Sequence, residues 1–423
     1  MNLKIRIRQG LGGVCRIWAD EMRTTFKDEG ILIFFILVPL FYPLLYSWIY
    51  TNEVVREVPV AVVDMSHSAM SREFARRFDA SPDVRVAYRC NSLAEAKDLI
   101  GRQEAFGVVY FPTDFQQNVL RMEQSRVSVF CDMSFMLYYK AIFQTATAVA
   151  GGMNSKIQIE RAGNWTERED EVSTKPLDFD EVQIFNSTGG YGNFIIPGVL
   201  MLIIQQTLLL GIGLSAGTDR ERFFSRSMSA RQTALSSAPN AGWHKSRLNA
   251  FAAMSSGRLS CLQVVSGRAM CYFMLYAVVA AYISLVVPRL FGFTSLLQPV
   301  DTFWFMLPYV LSCIFFSMTL SCAVRYREDI ILVVVFTSVP FLFLSGVSWP
   351  QSAIPEFWQW LSCVLPSTFG VRGFVRMNTM GAVLADVKVE YVVLWVQTVV
   401  YFLTTCLAYS LRAKAAKTTV TGA

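Results

Sequence analysis

The chain has 423 residues, of which 53% are hydrophobic and only 17% charged, and its mean hydropathy is +0.38. A soluble domain carries about 25% charged residues, so the composition excludes a purely soluble protein. The net charge of +6 would argue for nucleic acid only if the basic residues formed one patch. They are spread instead along particular segments.

Ahead of the first apolar run, "GVCRIWADEMRTTFKDEG" places Val14, Ile17, Trp18, Met22 and Phe26 at helical spacing. This predicts an amphipathic helix within residues 1–30, either lying along the inner membrane surface or packed on a helical bundle. The first run, Ile31–Tyr50, is uncharged and long enough to cross a bilayer, which takes roughly 20 helical residues. It starts too late and runs too long for a cleavable signal, and no small-x-small site follows, so it reads as a permanent anchor.

Next comes a segment with soluble character, 51–192. Val58–Val63 reads as a strand, Ala69–Phe78 as a helix and Val84–Tyr88 as a strand. "SLAEAKDLIGRQ" is a helix capped by Ser92, Phe106–Phe111 a buried strand, Thr113–Leu120 a short helix and Val127–Cys131 a strand. The alternation predicts a small sheet of parallel strands with covering helices. A long helix over Tyr138–Ile159 and a polar loop, "GNWTEREDEVSTKP", complete the segment.

Five further runs suit a bilayer: Phe194–Ala216, Ala269–Val287, Thr302–Val324, Ile330–Trp349 and Tyr391–Leu411. None of the six runs holds an Asp, Glu, Lys or Arg, and Trp and Tyr stand near several of their ends, where amphipathic rings settle. Between the last two, "IPEFWQWLSCVLPSTFGVRGFVRM" is apolar but broken by proline and glycine. It predicts two short return helices within 350–390 that dip into the outer leaflet, with Arg372 and Arg376 at headgroup level.

Basic residues orient the bundle. Lys4, Arg6, Arg8, Arg16, Arg23 and Lys27 precede the first run, Arg412, Lys414 and Lys417 follow the last, and the loop 217–268 is strongly basic. All three fall on one side if six helices alternate, so both termini are expected in the cytoplasm. The segment 51–192, in which acidic residues outnumber basic ones, then lies outside. The expected fold is an α-helical polytopic membrane protein of six transmembrane helices with an inserted extracytoplasmic α/β domain.

The residues for catalysis are few. The "VDMSHS" turn after Asp64 has no glycines to cradle a phosphate, and no P-loop occurs. "GIGLSA" (Gly211–Ala216) matches a dinucleotide pattern but follows an apolar helix, where small residues serve packing. The two histidines, His67 and His244, fall on opposite sides of the expected bilayer, which argues against a histidine triad or metal site. Cys90 and Cys131 share the outer segment, where a disulfide is permitted; the sequence leaves their pairing open. No metal, no catalytic residue and no cofactor is expected in this chain. Carriers coupled to ions or protons usually place charge inside the bilayer, whereas the most polar midspan feature here is Gln205–Gln206, suited to interhelical hydrogen bonding or to lining a polar path.

Four fragments, in order, resemble one family. They are "VPVAVVDMSHSAMSREFARRF", with a strand ending in Asp64 before Ser71-Arg72; "YGNFIIPGVL", with Pro197-Gly198; "VVSGRAMCYF", with Gly267-Arg268 where the family has Gly-Lys; and "LSGVSWPQSAIPEFWQWLSCVLPSTFGVRGF". Together they resemble the permease subunit of type 2 ABC exporters, in the branch with a large outer domain between the first two spans.

The resemblance implies two permease chains, identical or paralogous, and separate ATPase subunits that bind ATP and magnesium at the inner face. In this branch it also implies a periplasmic adaptor and outer-membrane duct as possible partners, and a lipophilic or drug-like cargo leaving the cytoplasm or inner membrane. By the same resemblance, Trp18, Phe26, Asp219, Arg220, Glu221, Arg222, Gly267 and Arg268 are candidates for ATPase docking. Gln205, Gln206, Pro197 and Gly198 are candidates for the path or the dimer contact. Ser345, Gly346, Pro350, Pro355, Pro366 and Arg372 are candidates for an outer gate. The loop between Arg222 and Gly267 departs from the family, being longer, basic and Ser-rich. An anchored sensor or a passive carrier without an ATPase is the alternative.

Overall fold

The computed structural model describes residues 3–51, 54–163, 166–174, 190–235, 260–324 and 326–421, with Phe185 and Met254. The chain divides into two compact units: Val54–Gln183, and Met1–Glu53 together with Ile184–Ala423. In the second unit, α1 (Leu3–Lys27) leads into α2 (Glu29–Ile49), which widens to a π-helical turn at Ile33–Leu37. Asp28 at the joint caps α2 by accepting from the Ile31 N–H at 3.4 Å.

The first unit runs β1 (Val58–Asp64), α3 (Ala69–Asp79), β2 (Val84–Cys90), α4 (Leu93–Gly101) and β3 (Gly107–Phe111). It continues with α5 (Phe115–Leu120), β4 (Ser128–Cys131), α6 (Met136–Ala162) and α7 (Glu167–Thr174). The sheet order is β2-β1-β3-β4. Central β1 is covered on both faces: Val58, Val60 and Val62 pack with Phe74, Phe78 and Ile142, while Ala61 and Val63 pack with Ala96 and Val108. Burial on both faces explains why its sequence is an unbroken apolar run.

Two expectations change here. β1 is parallel to β2 and β3, but β4 is antiparallel to β3. Helix α5, with six residues, rises only about 9 Å, too little to carry the chain back along the sheet for a parallel strand. The expected polar loop contains α7, because Thr166 and Glu169 form a capping box: the Thr166 Oγ1 accepts from the Glu169 N–H, and Glu169 Oε2 from the Thr166 N–H, each at 3.3 Å.

The Asp64 turn is a strand-to-helix joint. Asp64 Oδ1 accepts from the Ser66 and His67 N–H groups at 3.0 Å, and Oδ2 accepts from the Ser71 hydroxyl at 2.6 Å. Ser68 and Ser71 close a capping box on α3, and Arg72 donates to the His67 carbonyl at 2.9 Å. Cys90 and Cys131 are free thiols. They lie on the two outer strands, separated by β1 and β3, hence at least about 14 Å apart at the usual strand spacing, and a disulfide needs Cα atoms within about 7 Å. Burial raises the pKa of both, that of Cys131 to about 11, and the neighbouring Glu95 carboxylate adds to the shift at Cys90.

The helical unit resumes with α8 (Tyr191–Leu235), α9 (Cys261–Leu290), α10 (Pro299–Ser321) and α11 (Asp329–Leu344). It ends with α12 (Glu356–Ser362), α13 (Pro366–Met380) and α14 (Lys388–Thr421). Helix α8 is the axis, packed by α2, α10, α11 and α13 and buried along most of its length from Ile195 to Thr218. Among the described residues five helices are long and apolar enough to cross a membrane: α2, Tyr191–Glu221 of α8, α9, α10 and Lys388–Lys414 of α14.

The fifth predicted run falls short. Helix α11 has 16 residues and stops at Leu344, because the chain turns at Ser345–Gly346, where Gly346 has φ +83°. The charge-free reading of the third run also changes: α9 begins at Cys261, ahead of the predicted Ala269, and takes Arg268 into the bundle. Of the basic Ser-rich insertion over 223–266, α8 extends to Leu235 and α9 begins at Cys261, while 236–253 and 255–259 lie outside the described residues.

Candidate functional site

One end of the helical unit gathers charge. Arg268 of α9 is 4% exposed; its Nε lies 3.2 Å from Glu21 Oε2 of α1, off the line of a hydrogen bond, and its Nη2 donates to Asp219 of α8. Glu21 is buried as well, and its Oε1 accepts from the Ser215 hydroxyl at 2.9 Å and from the Tyr272 hydroxyl. The Tyr409 hydroxyl of α14 accepts from Arg268 at 3.4 Å. Two carboxylates, one guanidinium and three hydroxyls thus tie α1, α8, α9 and α14 together. Burial of these charges is sustained only because they face one another.

A second tie stands at the same end. Arg327, in the turn between α10 and α11, grips Asp28 with both terminal nitrogens, at 2.7 and 3.4 Å. The Arg327 backbone N–H donates to Glu221 at 3.1 Å, and Arg220 donates to the Cys322 carbonyl at 3.0 Å. The "GTDRER" cluster, expected as a docking surface, therefore spends Asp219, Arg220 and Glu221 on contacts within the chain. Gly267 and Arg268 are buried rather than presented outward. A Cβ on Gly267 would meet Ile17 at 2.9 Å and the Val14 carbonyl at 3.0 Å, so this glycine is where α1 lies on α9. Trp18 packs partly buried against the core, Phe26 is exposed, and the side chain of Arg222 is outside the described residues.

The candidates for path and gate also meet. Gln205 of α8 is fully buried, and its Oε1 accepts from the Ser367 N–H of α13 at 2.7 Å. Gln206 is half-buried. Pro197 and Gly198 are buried, and a Cβ on Gly198 would meet Val347 at 2.6 Å and Val371 at 3.4 Å. Of the expected gate, Ser345 and Pro366 are buried, Gly346 is partly so, and Pro350, Pro355 and Arg372 are exposed. Helix α13 is set into the bundle: ten of its fifteen residues are buried. Arg372 donates to Gln351, and Arg376 pairs with Glu390 at 3.2 Å.

The sequence profile described as "ABC-2 family transporter protein" matches residues 30–236 and 246–407, most of the chain. The chain belongs to the ABC-2 transporter family. Comparison with curated proteins finds no match. The permease is therefore a multi-pass membrane component of a transporter, of a family that generally works with a separate ATP-hydrolysing subunit.

Sequence reasoning missed Glu21, Asp28, Arg327 and Ser367 in this permease. Glu21 had a readable sign: it stands four residues after Ile17, on the face that also buries Thr24 and Thr25. An acid within an apolar stripe is costly unless a cation meets it. Phe26, counted in that stripe, lies outside it.

Proposed function

We propose that the chain is the permease subunit of an ATP-driven exporter of the cell inner membrane, moving a lipophilic or drug-like small molecule outward. A separate ABC ATPase supplies the energy, and a second permease chain, identical or paralogous, completes the path. In this reading α11, though short, makes a sixth crossing, both termini face the cytoplasm, and the Val54–Gln183 unit stands outside, where a periplasmic adaptor leading to an outer-membrane duct would meet it.

The observation that carries the proposal is the convergence of α1, the end of α8, the start of α9 and the α10–α11 turn on two ion-pair ties at one end. Such a fastened end suits a platform against which an ATPase pushes, with exposed Leu11 and Phe26 of α1 as its apolar contacts. Asp219, Arg220, Glu221, Gly267 and Arg268 act in it by fastening the platform, not by touching the partner.

The test is to tag the C-terminus, solubilise native membranes gently and identify co-purifying proteins by mass spectrometry. A stoichiometric P-loop subunit with ATP hydrolysis in the complex is the expected result. A chain that purifies without any ATPase sinks the exporter reading and favours a carrier or sensor.

A further inference from the structure

Helix α13 starts inside the bundle, and its first turn lacks a local cap. Pro366 occupies the first helical position and has no N–H, and Leu365 before it offers no capping side chain. The Ser367 N–H is therefore the first orphan donor of the helix. Ser367 and Thr368 are fully buried, so water does not satisfy it. The acceptor comes from another helix, Gln205 Oε1 at 2.7 Å.

The arrangement has a cost. Gln205 Nε2 and the Ser367 hydroxyl are enclosed with no partner among the described residues, and a buried unpaired polar group is unfavourable by an amount comparable to a lost hydrogen bond. A serine or aspartate at position 365 would cap α13 locally without importing an amide into the core. A buried group left half-satisfied calls for another explanation.

Helix α8 supplies one. Its only internal proline is Pro197, so the stretch from Gln205 to Asp219 is unbroken. Fourteen residues of helix make a stiff link of about 21 Å between the Arg268 ion cluster and the buried end of α13. The rest of α13 is seated closely: a Cβ on Gly370 would run into the Tyr309 ring, and Tyr309 itself donates to the Met201 carbonyl of α8 at 2.5 Å.

We propose that Gln205 is a positioning residue, an amide latch that fastens the inner end of α13 to α8, so that displacement of the charged end of α8 is delivered to α13. This deepens the exporter reading by naming the residue that links the ATPase face to the gate helix. Its test needs no ATPase.

Cys313 of α10 is fully buried, with Sγ 3.9 Å from Gln205 Oε1, and reports on the latch from within. Membranes containing the full chain are treated with a membrane-permeant maleimide, and labelling of Cys313 is followed by peptide mass mapping. Gln205→Met keeps the volume and removes the acceptor; Gln205→Asn keeps the amide but falls a methylene short. Both are expected to speed Cys313 labelling about tenfold or more, as loss of one buried hydrogen bond implies. Gln205→Glu, which keeps an acceptor oxygen at the same reach, and Ser367→Ala, which keeps the backbone N–H, are expected to label as slowly as the wild type. If Gln205→Met is not inserted, Gln205→Asn against Gln205→Glu makes the same comparison. Protection of Cys313 that survives Gln205→Met or Gln205→Asn, or that is lost equally in Ser367→Ala, overturns the latch. Either result stands whether or not an ATPase co-purifies.

Discussion

Two clusters of three charges have nearly the same chemistry and opposite settings. On the α/β unit, Glu73 accepts from Arg77 at 2.7 Å and Lys156 at 3.2 Å, with the cations 39% and 48% exposed. In the helical unit, Arg268 stands between Glu21 and Asp219 and is 4% exposed. The first cluster is one acid between two bases in water, and the second is one base between two acids in the core. What differs is what replaces a removed partner. At the surface water does, so the pair contributes little; in the bundle nothing does, and the remaining charge is stranded. The Asp28–Arg327 pair, with side chains 9% and 33% exposed, is intermediate.

The largest effect is expected at Arg268. Arg268→Met strands two carboxylates and should destabilise the helical unit by about 3–5 kcal/mol, read as loss of thermal stability of the detergent-solubilised chain. The triple variant Glu21→Gln/Asp219→Asn/Arg268→Met removes all three charges and should recover most of that loss. Arg268→Lys, which keeps the charge but reaches fewer partners, should fall between. A single variant as stable as the wild type would break the comparison at its strongest point.

Arg327→Ala tests the intermediate case. It opens the grip on Asp28, but the pair is partly hydrated, so about 1–2 kcal/mol is expected. The Glu221 contact uses the Arg327 backbone N–H and should persist. Hydrogen exchange should therefore quicken at the α1–α2 joint and not at the end of α8. Equal quickening at both would show that the backbone turn depends on the side chain's ion pair.

How far these clusters were legible follows from what periodicity can see. Apart from α7, the strands and helices of the α/β unit lie within one to three residues of where alternation puts them, since β1 and β3 are apolar runs and Ser92 is a recognisable cap. Hydropathy likewise locates α2, α8, α9, α10 and α14. What it misses is pairing between distant elements. Glu21 and Arg268 are far apart in sequence and each reads as a flanking charge; only packing of α1 on α9 turns them into a buried pair. The predicted run at α11 is longer than the helix because apolar Val347 and Trp349 extend it beyond the Gly346 turn. The burial of α13 within the bundle is hidden in the sequence because Arg372 and Arg376 look like headgroup anchors, while Gly370 and Gly373 let the opposite face seat against Tyr309 and Phe305.

A cap without net charge separates hydrogen bonding from ion pairing. Ser71 is buried and serves both Asp64 and the α3 capping box. Ser71→Ala should cost about 1 kcal/mol, in the ordinary range for a lost cap, with faster exchange confined to the first turn of α3. A loss as large as that at Arg268 would mean that Asp64, deprived of its hydroxyl donor, acts as a stranded charge despite its exposed loop.

The smallest effect belongs to Glu73, and its sign is fixed by pH. Hydrogen bonding to Lys156, and next to Arg77, holds this carboxyl below its ordinary value of 4.5. A group whose folded pKa is lowered contributes stability that is present above the unfolded value and lost as pH falls through the folded one. The wild type should therefore be slightly more stable than Glu73→Gln at neutral pH, with the gap steady down to the ordinary carboxylate value and closing below it. The difference at neutral pH should be small beside that of Arg327→Ala, because water solvates whatever the variant leaves behind. The measurement is the melting temperature of both proteins across a series of pH values, read as a difference so that other titrating groups cancel. A gap that widens in acid would reverse the assigned sign, and a gap as large as that of Arg268→Met would mean that exposure is not what separates the two clusters.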